Sequence, residues 1–241
     1  MDNNENKTIK KTQVYNVIIL DRSGSMNSIR QAAVTGFNET LAGIKKAQEK
    51  FADTQDHFIT LLTFCSCENK YVYDKVPASE AQPMNMDDYQ PCCCTPLYDA
   101  MGMTLTSMLN HVKDIEDVTV VATIITDGME NASKEYSGRA IKELVGDLRK
   151  KGWSFTYMGA NQDAVEVASE LNIRNARNFD FSMEGATLVM EKDADTRLNY
   201  YARVSELKRR EMESGEIFCC VKRQELYKEM SDLAFDEEES K

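Results

Sequence analysis

The chain has 241 residues and a mass of 27.4 kDa, which is enough for one domain with a sizeable core. Its 29 Lys and Arg face 40 Asp and Glu, a net charge of −11, which argues against partners that reward clustered positive charge, namely nucleic acid and anionic membrane. No run approaches the ~18 apolar residues of a membrane span, and residues 1–13 are polar, without the apolar stretch and cleavage site of a secretory signal. A cytoplasmic location is therefore expected, and the seven cysteines read as thiols and not as a disulfide framework.

Short apolar runs alternate with longer segments of helical period, the pattern of an α/β chain with a doubly wound, mostly parallel sheet and helices on both faces. Residues 1–13 are expected to be a disordered lead-in. The first strand is expected at 14–20, followed by a helix over 27–50, where Ile29, Ala33, Phe37, Leu41 and Ile44 recur every three or four residues. Strands at 58–65 and 71–76 follow each other directly, which predicts a hairpin and one antiparallel edge strand. The next elements are a helix over 96–111, a strand at 118–126, a helix over 137–150, a strand at 153–158, a helix over 161–171 and a strand at 178–181. From 182 a helix is expected to continue through Ala186, Met190, Ala194, Leu198 and Tyr201. The domain proper is placed at 14–207. Residues 208–241 are densely charged and end in Asp236-Glu237-Glu238-Glu239, which predicts a solvated helix or a disordered tail.

Three segments place oxygen donors where strands should end. Asp21-Arg22-Ser23-Gly24-Ser25 follows the first strand, Thr95-Pro96-Leu97-Tyr98-Asp99-Ala100 opens a helix, and Thr126-Asp127-Gly128 closes the fourth predicted strand. In open α/β sheets ligands gather outside the carboxyl ends of the strands, where these segments converge. Asp21, Ser23, Ser25, Thr95 and Asp127 form an oxygen set suited to a hard cation such as Mg²⁺, which keeps several waters and needs few charges. Neutral hydroxyls in direct positions, with carboxylates acting through water, leave the cation most of its charge and favour an anionic ligand from outside. Arg22, between two of these residues, is expected to turn away from the cation, with contact to a partner's acidic group as the alternative.

Asp21-x-Ser23-x-Ser25, Thr95 and Asp127, in this order and context, resemble the metal-ion-dependent adhesion site of the von Willebrand factor A (VWA) domain family. The resemblance extends over roughly 14–201. It implies a Rossmann-like sheet whose top face binds Mg²⁺ or Mn²⁺ through those five residues. A partner protein's Asp or Glu then completes the coordination, with no catalysis. The absence of an export signal and of flanking adhesion modules makes the chain more similar to stand-alone bacterial intracellular or phage-type members than to integrin inserted domains. It departs from the family at Cys92-Cys93-Cys94, where related sequences tend to have small residues, often glycine. Cys65 and Cys67 are expected close by, and this group offers a soft-metal site, a redox-sensitive disulfide or plain packing.

Two other readings bear on function. A Mg²⁺-dependent phosphotransfer enzyme with Asp21 as nucleophile would carry a second Asp two residues on as general acid, but Ser23 stands there. No phosphate loop, zinc-protease motif or nucleophile elbow occurs, and His57 and His111 lie apart from the candidate site. An adaptor subunit of an AAA+ or chelatase-type complex would differ from the first reading only in its partner.

Overall fold

The computed structural model describes residues 10–159, 164–178 and 183–239. Its centre is β1 (Thr12–Asp21), an almost wholly buried strand. Successive β1 side chains serve opposite faces. Tyr15, Val17 and Ile19 join one apolar cluster, while Ile18 and Leu20 join the other. Asn16 is the polar exception within the apolar run Val14 to Leu20. Its amide donates to the Phe58 carbonyl at 3.0 Å and its oxygen accepts the Tyr201 hydroxyl at 2.6 Å.

Beyond β1 the chain forms a short 3₁₀ turn over Gly24–Ile29 and then α1 (Arg30–Lys50). The strands β2 (Gln55–Cys65) and β3 (Glu68–Pro77) form the expected antiparallel hairpin. The remaining elements are α2 (Leu97–Val112), β4 (Val118–Thr126), α3 (Gly138–Lys150), β5 (Ser154–Gly159), α4 (Ala164–Glu170), β6 (Asn175–Asn178), α5 (Met183–Ser214) and α6 (Cys220–Glu239). The sheet has six strands in the order β3-β2-β1-β4-β5-β6, parallel except for β2 with β3. Helices α2, α3 and α4 cover one face, while α1 and α5 cover the other. This is a Rossmann-like α/β fold.

The strand order reverses between β1 and β4, and a crevice opens there at the carboxyl ends of the strands, as doubly wound sheets require. Asp21 ends β1 and Thr126 ends β4, so both stand at this switch point.

Three expectations need correction. The first strand reaches back into the lead-in expected to be disordered, because Thr12 and Gln13 pair with Gln55 and Asp56 of β2. The last described strand is Asn175–Asn178, beginning three residues before the start expected at 178, because Asn175 and Arg177 pair with β5 despite their polarity. Residues 179–182 lie outside the described residues, as do 160–163 at the start of the helix expected from 161, and 1–9 of the lead-in. The tail is the larger difference. Helix α5 crosses position 208 unbroken, and α6 lies across the amino ends of β1, β4 and β5 with Tyr227, Ser231 and Ala234 buried. Its charged residues are not all solvated. Lys208 pairs with Asp117 and Glu211, and Arg223 Nη2 meets Glu211 at 2.6 Å, all within the interior. Tyr227 donates its hydroxyl to Asp117 at 2.6 Å, and Ser231 donates to Ser154 at 2.9 Å.

Candidate metal centre

The five oxygen-bearing residues arrive from three loops at the switch point. Asp21 is fully buried at the end of β1. Ser23 precedes the 3₁₀ turn and Ser25 lies within it. Thr95 stands two residues ahead of α2, and Asp127 follows β4 directly.

A chain of hydrogen bonds links four of them. The Ser23 amide donates to Asp21 Oδ1 at 2.7 Å, the Ser23 and Ser25 hydroxyls are 3.1 Å apart, and the Ser25 hydroxyl donates to Asp127 Oδ1 at 2.7 Å. Thr95 joins them around Gly128. A Cβ placed on that glycine would lie 2.9 Å from Thr95 Oγ1, 3.3 Å from Ser25 Oγ and 3.5 Å from Asp21 Oδ2. Three oxygens from two segments therefore face one small volume, beside the third segment, that any side chain at 128 would fill. The structure brings together every residue singled out for the cation.

The electrostatics of this cradle are unfavourable without a counter-charge. Burial pushes the Asp21 carboxyl up to about 6, against hydrogen bonds from Thr126 and Ser23 that favour the ionised form, and the neighbouring Asp127 adds repulsion. Burial also raises Asp127, with the Ser25 hydroxyl opposing. A donor set of carboxylate and hydroxyl oxygens, with no nitrogen or sulfur in it, matches a hard divalent cation. Such an ion would relieve the desolvated carboxylates.

A second layer holds the loops, and the sequence reading missed most of it. Thr126 donates to Asp21 Oδ2 at 2.6 Å and accepts the Gly128 amide at 3.1 Å. The buried Tyr89 hydroxyl donates to the Asp21 carbonyl. Asn131 brackets Thr95, accepting its amide at 2.9 Å and donating its own amide to the Thr95 carbonyl at 3.1 Å. Glu130 gathers the amides of Tyr98, Ala132 and Ser133 at 2.7–2.9 Å. Asp99 accepts the amides of Lys134, Glu135 and Tyr136 at 2.8–2.9 Å; burial opposes its ionisation, yet these donors hold its carboxyl below the usual carboxylate range. The signal for Asp99 was its place in the Thr95 phrase. The capture of amides thirty or more positions away, by Asp99 and by Glu130 from Tyr98, leaves no local pattern to read.

Arg22 turns away from the cradle, as charge repulsion predicts. Its guanidinium meets Glu68 at 3.0 Å and lies 3.5 Å from Cys65 Sγ. His57 is buried against Tyr201, and His111 stacks edge-on with Tyr15, so both serve packing. Of the readings offered for the cysteines the structure shows the disulfide, between Cys67 and Cys93, while Cys65, Cys92, Cys94, Cys219 and Cys220 are free thiols. The physical reason is local. The β2–β3 turn and the loop before Thr95 are tied by Ser66 N donating to Cys94 O at 2.9 Å and by Cys94 N donating to Ser66 Oγ at 3.0 Å, and these bring the sulfurs together.

No protein-family model matches this chain, and no curated protein does. Solved structures do. Proximal thread matrix protein 1 from the mussel byssus, with a zinc-occupied MIDAS motif, matches with a TM-score of 0.53 at 14% identity over 78% of this chain and 46% of that one. The pilus adhesin SpaC from Lactobacillus rhamnosus GG, in an open conformation, gives 0.56 at 14% identity over 81% and 31%. A variant of the PilB minor pilin from Streptococcus sanguinis gives 0.52 at 10% identity over 78% and 62%. At these identities the likeness establishes a VWA-like fold. The chain spans only about a third to three fifths of these proteins' lengths. Among the described residues no helix is long and apolar enough to cross a membrane.

Proposed function

We propose that this chain is a metal-dependent protein-binding module whose cation is held by Asp21, Ser23, Ser25, Thr95 and Asp127, and whose partner supplies an Asp or Glu carboxylate. The observation that carries the reading is the convergence of Thr95 Oγ1, Ser25 Oγ and Asp21 Oδ2 within 2.9–3.5 Å of the missing Cβ of Gly128. Mg²⁺ is the favoured ion and Mn²⁺ the substitute, because the donors are all oxygen and only two of the five carry charge. An ion with few anionic ligands gains most from one charged oxygen supplied from outside. The exposed Met129, at 68% of its full accessibility beside Asp127, offers apolar contact next to that polar centre. The likeness to a mussel matrix protein with a zinc-occupied MIDAS motif supports the assignment by analogy of fold.

Binding without catalysis fits the site better than phosphotransfer. The Asp21 carboxylate is fully buried and each of its oxygens accepts a hydrogen bond, which leaves a poor nucleophile. The hydroxyl of Ser23 stands where a phosphotransfer aspartate would act as general acid. We read the chain as a cytoplasmic module of the bacterial or phage type, and an AAA+ or chelatase-type machine is one partner class that would supply the carboxylate.

The test has two stages. Titration with Mn²⁺ should show one weak site that Asp21→Ala and Asp127→Ala both abolish. Affinity capture from the native cell in Mg²⁺ should then yield a partner lost in EDTA, lost with Thr95→Ala, and lost when the partner's contacting acid is changed to its amide. Capture that survives all three changes would overturn the reading.

A further inference from the structure

A second cluster of metal-ligating side chains lies beside the first but is chemically its opposite. Cys65 ends β2, Cys67 sits in the β2–β3 turn, and Cys92 and Cys93 lie on the loop that runs into Thr95. Their four sulfurs all fall within 4.8 Å of one another, and Cys65 Sγ is 3.6 Å from Cys92 Sγ. Four thiolates at the usual ~2.3 Å from a single tetrahedral zinc ion would be about 3.8 Å apart. The mutual spacing thus suits one ion and is too tight for thiolates spread around a multi-iron cluster.

The cage has supports besides the sulfur–sulfur bond. The Ser66 amide donates to the Cys94 carbonyl at 2.9 Å, and the Cys94 amide donates to Ser66 Oγ at 3.0 Å. The Cys92 amide donates to the Arg22 carbonyl at 2.9 Å. Cys93 has φ +65°, a left-handed conformation that a non-glycine residue keeps only where its surroundings dictate it. The Arg22 guanidinium, 3.5 Å from Cys65 Sγ, places positive charge against a site that would carry net negative charge, although it also pairs with Glu68. These contacts hold the two cysteine-bearing segments side by side in addition to the sulfur–sulfur bond.

We propose that, once the Cys67–Cys93 disulfide is reduced, Cys65, Cys67, Cys92 and Cys93 form a tetrathiolate site for one zinc ion that clamps the β2–β3 turn to the loop carrying Thr95. The chemistry balances in two steps. A dithiol reductant gives two electrons and two protons to the disulfide and leaves as its own cyclic disulfide, releasing Cys67 and Cys93 as thiols. Zinc then replaces the four thiol protons, which pass to solvent, with no further change of oxidation state. The oxygen cradle and the sulfur cage select different metals, because hard oxygen donors favour Mg²⁺ and soft thiolates favour zinc.

The test uses the full chain, reduced with a dithiol, freed of reductant and metal under anaerobic conditions, and titrated with Co²⁺ as a spectroscopic probe. Tetrahedral thiolate ligation should give intense visible ligand-field bands and thiolate-to-cobalt charge transfer that saturate at one equivalent and are bleached by Zn²⁺. The bands should persist in Asp21→Ala, which removes only the oxygen cradle, and in Cys94→Ser. They should vanish in the double variant Cys67→Ser/Cys93→Ser, whose positions are exposed, so that its fold can be checked by an unchanged circular dichroism spectrum. Absence of the bands in reduced, folded protein would overturn the proposal. So would bands that survive the double substitution, or a Cys67–Cys93 disulfide that resists reduction in the folded chain.

Discussion

The Thr126 hydroxyl, at the end of β4, donates to Asp21 Oδ2, at the end of β1, across 2.6 Å. This bond joins the two strands at the switch point and fixes the rotation of the carboxylate within the cradle. Groups that orient a metal ligand typically change affinity 10–100-fold when lost. Thr126→Val keeps the shape and β-branching but removes the donor. The expected outcome is a roughly tenfold or greater loss of Mn²⁺ affinity by calorimetry, with a folded protein destabilised in chelator by about 1–3 kcal/mol, because the buried carboxylate loses a donor. Unchanged affinity would show that Asp21 needs no such support.

Asp21 carries the main stability cost of the site. Its carboxyl is fully buried and pushed up to about 6, so ionising it in the folded protein at neutral pH costs about 3 kcal/mol relative to the unfolded chain. Asp21→Asn removes the charge while its amide group can still accept from the Ser23 N–H and donate to a rotated Thr126. In chelator the variant is expected to be more stable than the parent by on the order of 1–3 kcal/mol in urea unfolding. In Mg²⁺ the parent should gain stability and the variant should not. A variant less stable than the parent in chelator would mean that the hydrogen bonds to the carboxylate outweigh its desolvation.

The five cradle residues were legible in the sequence because their information is local: an apolar strand followed at once by oxygen donors, twice, and between them the Thr95 phrase at the start of a helix. Strands β1, β2, β4 and β5 were legible for the same reason, since buried parallel strands read as apolar runs. Strand β6 was not, because Asn175-Ala176-Arg177-Asn178 has no apolar character and its pairing is set by β5. The C-terminal helix was misread for a different reason. Lys208, Glu211 and Arg223 look solvated in sequence, and only the fold shows that Asp117, 91 positions before Lys208, meets them inside. The supporting layer of Tyr89, Asn131 and Glu130 was invisible because its bonds run to backbone groups, which no periodicity records.

That buried charge cluster makes the tail part of the folding unit. Removing one member of a buried ion network costs about 3–5 kcal/mol, because the remaining charges stay desolvated. Arg223→Met leaves Glu211 facing Lys208 alone and removes the donor to the Glu116 carbonyl. The expected result is destabilisation of about 3 kcal/mol in denaturant unfolding. Deleting 208–241 goes further by uncovering Tyr200 and Val204, which pack in the same cluster as Tyr227. The truncated chain should lose its cooperative melt or aggregate. A shortened protein that melts cooperatively near the parent temperature would show that α6 is dispensable.

His57 sets a pH dependence separable from the metal site. It is buried at 1% exposure, with Nε2 2.9 Å from Gln55 Oε1 and its ring edge-on to Tyr201. Burial holds its pKa down to about 3, so the folded protein keeps it neutral, whereas the unfolded chain protonates it below about 6.5. Between those values the unfolded state binds the extra proton, and stability rises with pH there. The stabilisation is thus fully present above pH ~6.5 and is lost progressively as pH falls toward ~3. From pH 6 to pH 5 the loss should approach the one-proton limit of about 1.4 kcal/mol, discounted for any relaxation of the pocket. Because carboxylates titrate nearby, the measurement is a difference. Urea unfolding of the parent and of His57→Gln, both in chelator, should show a steeper fall in the parent over that interval by on the order of 1 kcal/mol. Parallel curves would mean that the folded protein protonates His57 as readily as the unfolded chain does, which would require water to reach a ring now enclosed by Tyr201 and Gln55.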